Sequence, residues 1–308
     1  MRSFSRAASE HYLTQSALSR SIQSLEAELG QTLFDRSTHS VKPTAAADML
    51  IAYAIDAIAA TRALSEEAEV LRGGGHGVVR VGAGSYPVQP LMSTVVRKLS
   101  AAYPELRVSV VGGAPSDLLA ALQRRDLDCV VCDMSKFEDM PAAGDISVIP
   151  LAPEPVVFVA GADNPITRGE PTLAEVAACP WALPPPAPLG RRNLAKMFGG
   201  LRPSRIPLYE IETTVACLEI TRDQRTITLV PLSLAQTECA SRGLWYRSPG
   251  RDFLTNDGIH LLRGRTPSAS LRRARDAIVA EAGRLAGVGR SWLQATGANW
   301  VRPEDRPR

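Results

Sequence analysis

The sequence predicts an N-terminal all-α module with a turn or wing over residues 1–72, ending in a long helix, and a C-terminal α/β domain over 78–290. Three observations carry this. Residues 1–72 hold a single glycine, Gly30, and their apolar residues recur at helical spacing. Residues 73–77 read Gly-Gly-Gly-His-Gly, a flexible joint. Beyond them, short β-rich runs alternate with helical stretches, the pattern of a sheet covered by helices. A length of 308 residues suits about two domains.

In the first module, Ser3 is placed to cap a helix with the face Phe4, Ala7, Ala8 and His11, and Tyr12-Leu13 breaks it. Thr14 is an acceptable N-cap for a second helix. There Leu18, Ile22, Leu25 and Leu29 share one apolar face, and Gly30 stops the helix as a left-handed C-terminal residue does. The opposite face carries Ser16, Arg20 and Gln23, flanked by Gln15 and Ser19. Two helices joined by a short turn, the second with a small-polar and arginine face, fit a helix-turn-helix as well as a plain solvated surface. In a major groove Gln pairs with adenine, Arg with guanine, and Ser with several base edges. Residues 31–44 form a β-wing or a plain loop; a wing would bring Arg36 and Lys42 near phosphates.

The next helix, 44–72, repeats every seven residues. Leu50, Ala57, Leu64 and Leu71 share one position, and Ala54, Thr61 and Ala68 another. Spacing that alternates four and three makes a coiled-coil seam, so a second copy is the expected partner. Residues 78–82 then read as a strand, 88–102 as a helix, 106–111 as a strand, 116–125 as a helix and 128–132 as a strand. Strand–helix–strand units of this kind predict a parallel sheet with helices on both faces. A second set follows, with strands at 156–160 and 227–230 and a helix near 191–198. Residues 258–262 form a strand that returns to the first subdomain. Leu271, Ala274, Ile278, Ala282 and Leu285 mark a final helix.

In such sheets ligands bind at strand carboxyl ends beside helix N-termini. Ser85 and Tyr86 follow the first strand, Ser116 follows the second, and Thr213 and Thr214 precede a later helix. They are candidate cleft residues, and each also suits a helix cap.

Composition narrows the function further. Hydrophobic residues make up 45% and charged residues 22%, as in a folded globular chain. No run reaches the ~18 apolar residues of a membrane span, and residues 1–6 are too polar for an export signal. The net charge of +3 identifies no nucleic-acid binder, although residues 263–308 carry +6 and residues 45–72 carry −3. Five cysteines (Cys129, Cys132, Cys179, Cys217 and Cys239) suit reduced thiols. Cys129 and Cys132 have redox or metal spacing, but a strand sends them to opposite faces. Residues 82–87 begin like a dinucleotide fingerprint and end in Pro87 where a third glycine belongs. No nucleophile–base pair or metal constellation appears. The expectation is therefore no enzyme, no metal and no cofactor.

Four segments form one pattern: Ser3-Phe4-Ser5-Arg6-Ala7-Ala8; Thr14-Gln15-Ser16-Ala17-Leu18-Ser19-Arg20-Ser21-Ile22; Leu25-Glu26-Ala27-Glu28-Leu29-Gly30; and Leu33-Phe34-Asp35-Arg36. It closely resembles the DNA-binding segment of LysR-type transcriptional regulators. Residues 118–128 also look like a family stretch, and 222–231 resemble the sugar-binding-protein-regulator branch. The resemblance implies a winged helix-turn-helix over 1–44 and a dimerising linker helix over 45–72. It implies an effector domain over 78–290, like a type 2 periplasmic binding protein, with subdomain I at 78–152 and 260–290 and subdomain II at 155–258. Thr14, Gln15, Ser16, Ser19, Arg20 and Gln23 would face the major groove, with Arg36 and Lys42 on the wing. Ser85, Tyr86, the 113–116 turn with Ser116, Thr213 and Thr214 would contact a small, often anionic effector. The implied partners are promoter DNA, that effector, and a second copy or three through the linker helix, with RNA polymerase as a further candidate. The implied location is the cytoplasm, away from membranes.

Three departures accompany the resemblance. The chain starts at the family's second helix, so Phe4, Leu18, Leu25 and Leu29 are expected to lack a packing partner. A start codon assigned too far downstream is the expected cause. The alternative is a regulator-derived module that binds ligand or sequesters subunits without DNA. Pro115 stands where the family usually has Ser or Thr, leaving Ser116 to substitute. Residues 291–308 extend past the usual end and are expected to be a loose tail.

Overall fold

The computed structural model describes residues 4–10, 12–37, 40–71, 77–134, 145–185, 209–222, 225–249, 253–264, 266–296 and 300–302. They fall into two compact units, residues 1–65 and 66–308.

The first unit opens with α1 (Phe4–Glu10) and α2 (Gln15–Leu29). Tyr12 turns the chain between them with a φ of 55°. The Thr14 hydroxyl accepts from the Ala17 amide at 3.2 Å, which caps α2. Gly30 ends α2 at φ 62°, a conformation that costs glycine nothing. The wing forms, with β1 (Phe34–Ser37) antiparallel to β2 (Ser40–Pro43). Glu26 ties it to α2, because its Oε1 accepts from the Leu33 and Phe34 amides at 2.8 and 3.1 Å. The Thr44 hydroxyl accepts from the Ala47 amide and starts α3 (Ala45–Leu71). The apolar face of α2 is only half covered: Leu18 and Ile22 are partly buried, while Leu25 and Leu29 are exposed. On α3, Met49, Tyr53 and Leu64 are each at least 70% exposed in the single chain.

The second unit has two sheets. The first runs in the order β4 (Arg107–Gly112), β3 (Val78–Ala83), β5 (Cys129–Asp133), β12 (Asp257–Leu262), β6 (Ile146–Pro150). Strand β3 is parallel to β4 and β5, and β12 is antiparallel to β5 and β6. Its two faces are distinct cores. Val79, Val81, Cys129 and Val131 pack on one side with Val95 and Leu99 of α4 (Ser93–Ala102) and Ile278 of α9 (Ala269–Thr296). Val130 and Cys132 pack on the other with Leu118, Leu119 and Leu122 of α5 (Pro115–Gln123). Cys129 and Cys132 thus point to opposite faces, and burial pushes the Cys129 thiol up to about 12. The helix predicted from residue 88 begins only at Ser93. Residues 88–92 form an irregular turn around Pro90, which has no amide to donate.

The second sheet is β10 (Ile227–Pro231), β7 (Val156–Gly161), β11 (Leu244–Arg247). The sequence predicts parallel strands, and here neighbours are antiparallel. The helical connection does join two parallel strands, β10 and β11, through α8 (Leu232–Arg242). Strand β7 arrives from the other sheet and inserts between them in the opposite direction. Strand β12 does the same between β5 and β6. Trp181 bridges to Ile227 beside the small pair β8 (Ala182–Leu183) and β9 (Tyr209–Glu210), and α6 (Leu173–Ala178) and α7 (Thr214–Ile220) complete the described helices. The helix predicted at 191–198 lies outside the described residues.

The two crossings, residues 151–155 and 253–256, run side by side. The Thr255 amide donates to the Glu154 carbonyl at 2.9 Å, and the Val156 amide donates to that of Phe253 at 2.8 Å. The expected loose tail is packed where it is described. Helix α9 continues to Thr296, Trp292 stacks on Tyr246 with centroids 5.9 Å apart, and Val301 pairs with Tyr246. Trp292 and Val301 belong to the second sheet's core, which gives the chain after residue 290 apolar surface to cover.

Candidate functional site

Two places concentrate the predicted residues. On α2, Gln15, Ser16, Arg20 and Gln23 are exposed and Ser19 is half-buried. Their spacing puts them on one side of the helix. Thr14 is already engaged: its hydroxyl caps α2 and lies 3.1 Å from that of Ser16. The Arg20 Nε donates to the Ser16 carbonyl at 3.4 Å, a bond long enough to give way to a better acceptor. Lys42 is exposed on β2, paired in register with Asp35. Arg36 sits in β1 opposite Val41, and its side chain lies outside the described residues. Glu26 escaped the sequence reading. It bonds residues just beyond its own helix, and nothing in its spacing sets it apart from a solvated glutamate.

The second place is the cleft between the two sheets of the larger unit. Ser85 and Tyr86 follow β3, where the chain must leave the sheet. Thr214, buried in the first turn of α7, donates its hydroxyl to the Ser85 carbonyl at 3.0 Å. Thr213 is exposed and caps α7 by accepting from the Ala216 amide. Ser116 is exposed in the first turn of α5, apart from this contact. A cavity of about 580 Å³ lies alongside, lined by Gly112, Gly113, Ala114, Asp117 and Glu212 among others. It places the 113–116 turn across from the segment that leads into Thr213.

The sequence reading missed three residues that lie near Tyr86. Asp133 ends β5 and Asp257 begins β12, and the strand register sets them directly opposite each other. Cys217, on α7, is buried. All three act on Tyr86, whose hydroxyl is pushed up first by burial and then by Cys217, Asp257 and Asp133. Asp257 is pushed up to about 7 by burial, then by Asp133 and Glu154. Glu154 closes this acidic group at the crossing. Burial raises it against the pull of Ser233, whose amide and hydroxyl donate to it at 3.1 and 2.9 Å. Register alone brings Asp133 and Asp257 together, so no local motif could have announced them.

Comparison with known proteins identifies the architecture. Residues 72–283 match the family described as LysR substrate binding domain. Residues 1–48 match the bacterial regulatory helix-turn-helix proteins of the lysR family. The chain belongs to the LysR family. Among its relatives is the SDS degradation transcriptional activation protein of a Pseudomonas strain, 31% identical over 240 residues, or 76% of each chain. The HTH-type transcriptional regulator GbpR of Azospirillum brasilense is 28% identical over 76% of this chain and 69% of its own. The fold is that of a full-length OxyR variant from Pseudomonas aeruginosa, with TM-score 0.65, 20% identity and coverage of 94% and 92%. It is also that of full-length CbnR solved with its target DNA, with TM-score 0.55, 19% identity and coverage of 91% and 94%. As a LysR-type regulator the chain is a DNA-binding transcription factor with an effector domain, not an enzyme, and such regulators assemble as oligomers. None of its described helices is long and apolar enough to cross a membrane.

Proposed function

We propose that this LysR-type regulator reads promoter DNA with Gln15, Ser16, Ser19, Arg20 and Gln23 of α2, flanked by Arg36 and Lys42 of the wing. Thr14 acts as the cap that starts the reading helix and offers its hydroxyl to a phosphate. The observation that carries this is the exposed polar side of α2, tied to the wing through Glu26. Phosphate contacts would set the register and the α2 side chains would choose the sequence. The regulator works in the cytoplasm, where promoters are, as a dimer or tetramer joined along α3.

A small molecule in the cleft beside Ser85, Tyr86, Thr213 and Thr214, with Ser116 at its edge, modulates that occupancy. The effector must favour one arrangement of the two sheets over the other, and it shifts the equilibrium only by that difference. DNase footprinting of the full chain on the intergenic DNA beside its own gene tests the reading. A bounded protected site supports it, and uniform or absent protection overturns it.

A further inference from the structure

We propose that helix α9 is a third hinge of the effector domain, with its pivot at Gly287, and that it bends as the two sheets move about the cleft. The two crossings are the other connections between the sheets. This rests on the reading that an effector favours one arrangement of the sheets over another.

Helix α9 is held at both ends. Its first half belongs to the first sheet's core through Ala274, Ile278, Ala282 and Leu285, and Lys98 of α4 is ion-paired to the buried Glu281. Its last turns belong to the second sheet's core through Trp292, with Leu293 packed against it. Two sheets joined by an unbroken helix move relative to each other only if that helix bends or leaves one core. Between Leu285 and Trp292 two features weaken it at one point. The first is Gly287. A Cβ there would meet only the tip of Arg290, at 4.0 Å, so no close approach requires a glycine. Glycine inside a helix is less stable than alanine. The second is Ser291, whose hydroxyl donates to the Gly287 carbonyl at 3.3 Å. A serine that bonds back four residues competes with the helical bond and favours bending. The weak point also lies beside the crossings. Two residues on, Gly289 passes the first crossing so closely that a Cβ would run into the Pro155 ring. Pro155 in turn pairs with Leu254 of the second crossing. The three connections therefore meet next to Gly287, and a hinge needs only a few such positions to absorb the change in backbone angles.

The test is the distance between the two sheets, measured by double electron–electron resonance on the full chain. Nitroxides are attached at Ser100→Cys of α4 and Ser241→Cys of α8, both exposed positions. The half-buried Cys179 is replaced by Cys179→Ser, and labelled chain is diluted with unlabelled chain. Gly287→Ala is compared with Gly283→Ala. Gly283 also faces open space, but it lies within the half of α9 held by the first core. Both alanines favour the helix alike, so both variants should melt at or above wild type. Wild type should give a broad distance distribution, Gly283→Ala the same breadth, and Gly287→Ala a narrower one. Equal breadth in wild type and Gly287→Ala overturns the pivot, as does equal narrowing by both alanines. Either result leaves the two arrangements of the sheets standing. A narrow distribution in wild type removes the two arrangements themselves, and the pivot with them.

Discussion

Thr214 of α7 donates its hydroxyl to the carbonyl of Ser85 at 3.0 Å, and this bond joins the two sheets of the effector domain across their cleft. Thr214→Val keeps the shape and removes the donor. The expected cost is about 1 kcal/mol, a fall of about 2–4 °C in melting temperature for a domain of this size. Thr214→Ser is expected to stay near wild type. Equal melting of the valine variant and wild type would show that the bond contributes nothing.

Helix α9 is anchored in both cores, by Ala274, Ile278 and Leu285 in the first and by Trp292 in the second. Trp292→Ala removes the stack on Tyr246, and large-to-small changes of this kind cost about 3–5 kcal/mol. Between those anchors Gly289 passes the crossing at Pro155, where a Cβ would lie 2.3 Å from the proline Cδ. Gly289→Ala is therefore expected to destabilise by about 1–3 kcal/mol through overpacking. Thermal denaturation of both variants decides the matter. Wild-type melting of Trp292→Ala would restore the loose tail that the sequence suggests.

Asp257 gives a pH prediction. Its folded value is raised to about 7, by burial first and then by Asp133 and Glu154. A carboxylate with a raised folded value binds its proton more tightly in the native state. The stability linked to that proton is full below the unfolded value, declines as pH climbs towards about 7, and is gone above it. Asp257→Asn cannot ionise. Its melting advantage over wild type should grow from about pH 4 to about pH 7 and then level off. A constant difference across that range would show that Asp257 ionises freely in the fold.

Leu64 is 70% exposed on α3, at the seven-residue position it shares with Leu50, Ala57 and Leu71. A charge there cannot enter a coiled-coil seam without loss of its hydration. Leu64→Asp should reduce the oligomer measured by light scattering. An unchanged mass would exclude α3 as the joining surface at this position.

What the sequence made legible was local. The Thr14 cap and the Gly30 stop follow from spacing of a few residues, and the structure has both; residues 31–44, open in the sequence between a β-wing and a plain loop, form the wing at Phe34–Pro43. Strands β6 and β11 were not read, but the other six of the eight described strands of the two sheets were also visible as short apolar runs. Their directions were not, because β7 and β12 each insert into a sheet from outside, and a strand's composition does not record which way its neighbours run. Ser85 and Thr214 were both candidates, yet their bond depends on how the second sheet folds back over the first. Asp133 and Asp257 were invisible for the same reason. Trp292 could have been read, since it lies seven residues beyond Leu285 and fourteen beyond Ile278, on the same face of α9.

The central claim is that α2 reads promoter sequence. The most direct measurement is fluorescence anisotropy of the full chain and of Arg20→Ala on DNA from the intergenic region beside its gene, at two salt concentrations. Wild type should bind this DNA far more tightly than unrelated DNA, with affinity that falls steeply as salt rises. Arg20→Ala should lose about 1–3 kcal/mol of that preference and retain most of its non-specific binding. Equal affinity of wild type for both DNAs, or a preference untouched in Arg20→Ala, would contradict the account.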